Sequence, residues 1–193
     1  MTDFWHGGRR GIAVGEYIRS PDERRREWSA RERQIEALAR RTGYNSDRDP
    51  KRVYLTTDRE LARGWVIRCL QGEGGGALYR VRPLPPSSVE SDPDFEETGF
   101  SARRALVLEV AEDPVQMTED QALRAVTARY SLWSDDSRMY DDDGYMLPPP
   151  EHQAAGATPE LYRHLGRWFQ VLPGYTMALR DGQVFMAPEW SVG

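Results

Sequence analysis

The sequence predicts an α+β fold, in which strands and helices are mixed along the chain and separated by long loops. Apolar stretches of strand length occupy residues 4–6, 53–56, 78–84 and 105–110. Apolar residues at helical spacing lie between several of these stretches, and Gly- or Pro-rich turns punctuate them. The sequence contains no internal repeat. The interleaving of both element types, with no repeat, favours α+β.

The composition is that of a globular domain rather than a disordered or membrane-spanning chain. With 193 residues, 39% of them hydrophobic, it can build one well-cored domain and a small appendage. A net charge of −5 gives no overall attraction to nucleic acid or to anionic membranes. The single cysteine, Cys69, excludes an internal disulfide. With no secretory signal or membrane-length apolar run, a cytoplasmic protein is expected, although an exported toxin domain would have the same features.

The first third of the chain is predicted to contain one strand and one long helix. After the strand at 4–6, a glycine-rich turn and a short amphipathic piece lead to Ser20, a predicted helix N-cap followed by Pro21 and Glu23. The helix is expected over 22–42, within an insertion at 21–43. Its predicted apolar stripe comprises Trp28, Ile35, Leu38 and Ala39, and it stops at Gly43.

The middle of the chain is predicted to alternate strands with one helix. The expected order is strand 53–56, helix 58–70, flexible turn 72–76, strand 78–84, a polar loop and strand 105–110. We place a boundary after this last strand. Residues 1–113 form the predicted core, and 114–193 a C-terminal extension of helices and a hairpin that packs on the core.

Capping and turn signals define the elements of the extension. Thr118 begins one predicted helix, and Thr158 with Pro159 begins another that extends to Phe169. Asp181 and Gly182 form a two-residue turn signal within the last apolar stretch, which predicts a terminal β-hairpin.

Three motifs occur in an order that points to a known family. HGGRRGIAVGE occupies 6–16, VYLTT occupies 53–57 before a helix, and the acidic loop VESDPD occupies 89–94. In these motifs the chain resembles the ADP-ribosyltransferase superfamily, and most closely the small rifamycin-modifying members. The resemblance covers residues 4–110. It implies a split mixed β-sheet with flanking helices and NAD as co-substrate, without a metal.

The resemblance also implies roles for individual residues. His6 would hydrogen-bond a ribose hydroxyl, the Gly7 backbone would pair with the nicotinamide carboxamide, and Tyr54 would stack on the nicotinamide ring. Arg9 or Arg10 would meet the pyrophosphate. The full set of candidate NAD-binding residues is His6, Gly7, Gly8, Arg9, Arg10, Tyr54, Thr56, Thr57 and Trp65.

A carboxylate is expected as the third catalytic group beside His6 and Tyr54. The position that carries a glutamate in related enzymes is occupied here by Arg103 and Arg104. The acidic loop offers Asp92 first and Glu90 second. A one-residue shift of the alignment would instead select Ser91, which lacks a charge.

Three functions remain open at this point. The first is NAD-dependent mono-ADP-ribosylation of a small-molecule hydroxyl, as in rifamycin resistance, with release of nicotinamide. The second is a toxin or effector that modifies a protein or nucleic acid, or a NAD glycohydrolase. The third is a catalytically degenerate NAD-binding module, which Arg103 and Arg104 favour.

Two features of the extension bear on these alternatives. Its aromatic residues would form either a recognition surface for a macromolecular target or an immunity partner, or the core of a small subdomain; they are Trp133, Tyr140, Tyr145, Trp168 and Trp190. The core is favoured for Trp168 and for the neighbouring Phe169. No metal site is expected, because His152 and His164 lack partners at ligand spacing and the acidic loop at 135–143 has the pattern of a solvated loop.

Overall fold

The computed structural model divides the chain into two compact units, Met1–Met117 and Thr118–Gly193. It describes residues 2–28, 30, 33–34, 37, 49–70, 75–92, 95, 97–172 and 174–191. The division falls shortly after the boundary predicted at residue 113. Strands and helices alternate along the chain, which confirms the α+β class.

The first unit is built on an antiparallel sheet. Its strands are β1 (Phe4–Gly8), β2 (Tyr17–Ile18), β3 (Val53–Thr56), β4 (Ala77–Leu84), β5 (Glu90–Ser91), β6 (Gly99–Ala102) and β7 (Arg104–Glu112). They lie in the order β2-β7-β4-β1-β3-β6-β5. Every pairing between neighbouring strands in this order is antiparallel, so the parallel pairs implied by a mixed sheet do not occur among the described strands.

The sheet opens between β1, its middle strand, and the neighbouring strand β3. Strand β1 pairs with β4 along its whole length, from Phe4 opposite Val81 to Gly8 opposite Ala77. Its register with β3 consists of Trp5 opposite Thr56 within the described part of the chain. The two strands therefore diverge beyond this pair, and residues of both line a cavity.

Alternation along β4 places apolar side chains on both faces of the sheet. Tyr79 and Val81 join one buried cluster, which is completed by Ile18, Val53, Leu55, Ala77, Ala102, Ala105 and Val107. Leu78 points to the other face and packs with Ala62 and Val66. These two residues belong to helix α2 (Arg59–Leu70), which covers that face. Asp58 caps α2 by accepting hydrogen bonds from the backbone amides of its first turn.

The helix predicted over 22–42 is interrupted. Ser20 caps helix α1 (Pro21–Arg24), as predicted, and a 3-10 turn follows over Arg25–Glu27. The prediction of a continuous helix is wrong at Trp28, whose backbone is extended with ψ of 133°. Before this break the first turns are tied to other parts of the chain, since Glu23 binds Arg104 and Glu27 binds Arg19. Ile35, Leu38, Ala39 and Gly43 lie outside the described residues.

Three strands of the first unit were not predicted from the sequence: β2, within the piece expected to be amphipathic, and β5 and β6. The loop expected after β4 contains β5 and β6, which pair with each other, and β6 continues the sheet beside β3. Their residues include glycine, serine and glutamate, so they lack the apolar alternation that predicts a strand. Hydrogen bonding to neighbouring strands, rather than local propensity, stabilises β5 and β6. The predicted flexible turn at 72–76 lies largely outside the described residues.

The second unit combines short helices with a hairpin. Its elements are α3 (Glu119–Leu123), a π-helical turn (Arg124–Ala128), α4 (Pro150–Ala154), α5 (Pro159–Tyr162), a 3-10 turn (Arg163–Leu165), β8 (Tyr175–Arg180), β9 (Gln183–Pro188) and a 3-10 turn (Glu189–Ser191). Thr118 and Gln121 form a reciprocal capping box, and Arg180 pairs with Gln183 across Asp181 and Gly182. The predicted cap and hairpin are therefore confirmed.

The predicted helix over 159–169 is too long. It ends at the 3-10 turn, because Gly166 adopts φ of 84° and Trp168 adopts φ of 55°, both outside the helical region. The core of this unit is the buried cluster Tyr140, Met146, Tyr162, Met177 and Val184. Trp168 and Phe169 pack against this cluster, so burial rather than helical periodicity explains their apolar character.

Candidate functional site

A cavity of about 300 Å³ lies in the first unit where β1 and β3 diverge. Segments far apart in sequence supply its walls. The described residues that line it are Trp5, His6, Gly7, Gly8, Arg9, Ile12, Tyr17, Ile18, Arg19, Pro21, Arg24, Arg52, Val53, Tyr54, Leu55, Thr56, Leu61, Ala62, Trp65, Asp92, Phe95 and Gly99. Its volume is at the lower end of the range for small-molecule sites, about 300–1,000 Å³.

His6 bridges the two strands that form the cavity. Its Nδ1 lies 2.9 Å from the backbone carbonyl oxygen of Tyr54. Because a carbonyl oxygen can only accept, we assign the proton to Nδ1, which leaves Nε2 as an acceptor. The residue keeps some accessible surface in the cavity, yet protein atoms surround its ring.

The electrostatic environment keeps this imidazole neutral. Burial lowers the pKa of His6 below its ordinary value of 6.5, and the Arg24 guanidinium lowers it further. The hydrogen bond to the Tyr54 carbonyl opposes these effects but does not outweigh them. At neutral pH, His6 can therefore accept a hydrogen bond from a ligand hydroxyl through Nε2.

The two glycines after His6 are required for different reasons. A Cβ on Gly7 would lie 2.1 Å from the carbonyl oxygen of Ala62, so α2 can pack on β1 only if this residue has no side chain. A Cβ on Gly8 would lie 2.6 Å from His6 Nε2. Gly8 therefore makes room for the imidazole, whereas Gly7 seats the helix.

Tyr54 and its neighbours on β3 are oriented by local hydrogen bonds. The Tyr54 hydroxyl accepts a hydrogen bond of 2.8 Å from the backbone amide of Asp49, while the residue lines the cavity. Thr56 is buried and also lines the cavity, but its hydroxyl accepts from the Asp58 amide. Thr57 is not among the lining residues; its amide donates to the Thr98 carbonyl.

The three alternatives for the third catalytic position lie in different environments. Asp92 is 6% exposed and lines the cavity. Glu90 is not among the lining residues: its side chain is 65% exposed and binds Arg52 at 2.9 Å. Ser91 is exposed and pairs with Phe100 across the sheet. Of the three, Asp92 is the one that the structure brings together with His6 and Tyr54.

The cavity is rich in cations. Arg9, Arg19, Arg24 and Arg52 are among its described lining residues, against one carboxylate from Asp92. Arg10, the alternative to Arg9 for binding a pyrophosphate, is not among them, and its guanidinium pairs with Asp113.

Of these four lining arginines, the sequence motifs singled out Arg9 but none of Arg19, Arg24 and Arg52. Their placement depends on how the segments after β2 and before β3 fold. This excess of positive charge suits an anionic ligand.

Aromatic side chains also line the cavity. Trp65, a predicted ligand contact, lines the cavity and meets Phe95 edge to face, with ring centroids 6.2 Å apart. Trp5 also lines the cavity. Phe95 was missed because the polar loop around it carries no periodic pattern that would single it out.

Arg103 and Arg104 lie outside the cavity lining. Both are exposed, and Arg104 pairs with Glu23 of α1. They border a second, open depression with Lys51 and Arg52. Neither arginine therefore stands in the place of a catalytic carboxylate within this cavity.

The titratable residues singled out in the second unit serve its packing and turns. Buried His152 hydrogen-bonds the Tyr162 hydroxyl, and His164 has both ring nitrogens within 2.9 Å of backbone carbonyl oxygens. Asp135 and Asp141 accept hydrogen bonds from nearby backbone amides. Among described residues, no group of histidine, cysteine, aspartate and glutamate could hold a metal ion.

The aromatic residues of this unit do not form one exposed surface. Tyr140 is buried, and Trp133 and Trp168 pack against the same cluster. Tyr145 is half-buried, with the Arg163 guanidinium over its ring. Trp190 is the exception, at 86% exposed.

None of the described helices is long and apolar enough to cross a membrane. No protein-family model matches this sequence, and no curated protein matches it.

Proposed function

We propose that this protein is a NAD-dependent mono-ADP-ribosyltransferase that transfers ADP-ribose to an acceptor and releases nicotinamide. The observation that carries the proposal is that His6, Tyr54 and Asp92 line one cavity. These three residues were selected from three separate sequence motifs. The preferred acceptor is a hydroxyl group of a small molecule, in keeping with the family that the motifs resemble.

The reaction breaks the bond between nicotinamide and ribose, and positive charge develops on the ribose as it breaks. A buried carboxylate stabilises such charge strongly, because water does not screen it there. Asp92, at 6% exposed, is suited to this role. The neutral His6 would accept a hydrogen bond from a ribose hydroxyl, and the Tyr54 ring offers an aromatic face for nicotinamide.

The size and charge of the cavity are compatible with one half of a dinucleotide. A volume of about 300 Å³ would enclose the nicotinamide and its ribose, and the rest of the ligand would extend along the protein surface. The arginines in the lining would meet the negative charge of the diphosphate. These features favour NAD over a neutral ligand of similar size.

The direct test is to incubate the purified protein with NAD and to measure nicotinamide. We expect release in the wild type and a loss of about 100-fold in His6→Ala, because the ribose would lose its acceptor. The exposed His164 provides a matched control, and His164→Ala is expected to retain release. Absence of nicotinamide release with NAD, both alone and with a hydroxyl-bearing acceptor, would contradict the proposal.

The products of the same assay separate the alternatives. A mass gain of one ADP-ribose on a rifamycin-like acceptor would show transfer to a small molecule. Free ADP-ribose formed with water alone would instead identify a NAD glycohydrolase. Thermal stabilisation by NAD without nicotinamide release would identify a degenerate binding module.

A further inference from the structure

A carboxylate of the chain itself lies between two arginines of the cavity lining. Arg9 follows β1 and Arg19 follows β2, so they belong to separate segments. Glu27 ends the 3-10 turn after α1. Its Oε2 lies 2.8 Å from Arg19 Nη2 and 4.0 Å from Arg9 Nη2. One carboxylate oxygen thus faces two guanidinium groups at the edge of the cavity.

This arrangement holds two cations where an anionic ligand would need them. The side chains of Arg9, Arg19 and Glu27 are 43%, 38% and 44% exposed, so solvent reaches all three. Ion pairs at such exposure are weak and readily exchanged. A diphosphate carries more negative charge and more acceptor oxygens than a carboxylate, so it competes well for guanidinium groups.

Displacing Glu27 requires little rearrangement. The Glu27 side chain is 44% exposed, so it can rotate into solvent without a movement of the backbone. Rotation of its side chain would release both arginines and leave the sheet unchanged. Arg10, which pairs with Asp113, is not among the residues that line the cavity.

We infer that Arg9 and Arg19 form a diphosphate-binding site and that Glu27 is an internal competitor, displaced when a diphosphate binds. The choice of a dinucleotide as the natural ligand rests on the proposed function. The site itself requires only a ligand that carries a diphosphate. Glu27 therefore lowers the affinity for such ligands, and its removal should raise it.

Binding to the full chain can be measured by calorimetry with inorganic pyrophosphate, ADP and, as an uncharged control, adenosine. We expect Glu27→Gln to bind pyrophosphate and ADP about two- to fivefold more tightly than the wild type, the range expected for losing one exposed ion pair. Adenosine binding should not change. Glu109→Gln is a matched control, because Glu109 is similarly exposed and binds Arg80 at 2.9 Å.

A second variant tests whether the gain depends on the arginine. Arg19→Ala should bind pyrophosphate at least fivefold more weakly, and adding Glu27→Gln to it should produce a smaller gain than in the wild type. If Glu27 merely holds the two segments together, Glu27→Gln would lower the melting temperature and weaken pyrophosphate binding. Equal or weaker binding in Glu27→Gln would overturn the inference.

The outcomes also separate this inference from the proposed function. Tighter pyrophosphate binding in Glu27→Gln without any cleavage of NAD would support the diphosphate site and reject the transferase. Cleavage of NAD with unchanged pyrophosphate binding in Glu27→Gln would support the transferase and reject Glu27 as a competitor at the diphosphate site.

Discussion

The two units use their buried polar groups differently. In the first unit, His6 and Asp92 lie at a cavity, and the imidazole keeps one nitrogen available as an acceptor. In the second unit, buried polar groups bind one another: His152 bonds Tyr162, and the Tyr140 hydroxyl donates to the Phe169 carbonyl at 2.6 Å. Burial raises the pKa of Tyr140 to about 12, so this hydroxyl keeps its proton. Chemistry is therefore expected from the first unit, whereas polar residues of the second stabilise its core.

The largest expected effect concerns the buried carboxylate of the first unit. Asp92→Asn should lower the rate of nicotinamide release by about 100- to 1,000-fold, because under the proposed function it removes the charge that would stabilise the transition state. Glu90→Gln is the matched control in the same loop. It should change the rate by less than about threefold, since its carboxylate is exposed and pairs with Arg52. A greater loss in Glu90→Gln than in Asp92→Asn would reverse the assignment.

A polar change in the core of the second unit should reduce stability instead. Tyr162→Phe removes the hydroxyl that bonds buried His152, and we expect a loss of about 1–2 kcal/mol in the free energy of unfolding. Urea denaturation measures this directly, and Tyr175→Phe, at an exposed tyrosine, is the control. Nicotinamide release should be unchanged at temperatures where the variant is folded. A loss of nicotinamide release in folded Tyr162→Phe would contradict the expectation that only the first unit carries the chemistry.

A smaller effect is expected from the titration of His6. Because burial lowers its folded-state pKa, the unfolded chain binds this proton more readily than the folded chain. The free energy of unfolding should therefore decrease as the pH falls below about 6.5, and should go on decreasing down to the folded-state pKa. His6→Gln lacks this contribution, so its urea-denaturation profile between about pH 7 and 5 should be flatter. Equally steep profiles would show that His6 does not titrate in this way.

Local signals predicted the parts of the fold that local interactions determine. The caps at Ser20 and Thr118 and the turn at Asp181 depend on neighbouring residues, and each was predicted correctly. The strand Gly99–Ala102 depends on pairing with a distant strand, and no glycine or proline marks the break at Trp28 in the sequence. Sequence periodicity reports neither feature, so both were missed.

The candidate site was predictable to a similar extent. Motif order selected His6, Tyr54 and Asp92, and the fold brings all three to one cavity. The environments of Glu90 and Asp92 could not be separated by sequence, because tertiary packing buries Asp92, directly after β5, and leaves Glu90, within β5, exposed. The lining arginines Arg19 and Arg24 were missed for the same reason, since tertiary packing decides which of many arginines face the cavity.

The absence of a side chain at Gly7 has a consequence for engineering the cavity. Helix α2 contributes Leu61, Ala62 and Trp65 to the wall, and its distance from β1 is set by the contact between Gly7 and the Ala62 carbonyl. A larger residue at Gly7 would wedge the helix outward and shift that whole wall together. Mutant libraries that aim to accommodate bulkier ligands should therefore vary Gly7 as well as the other residues that line the cavity.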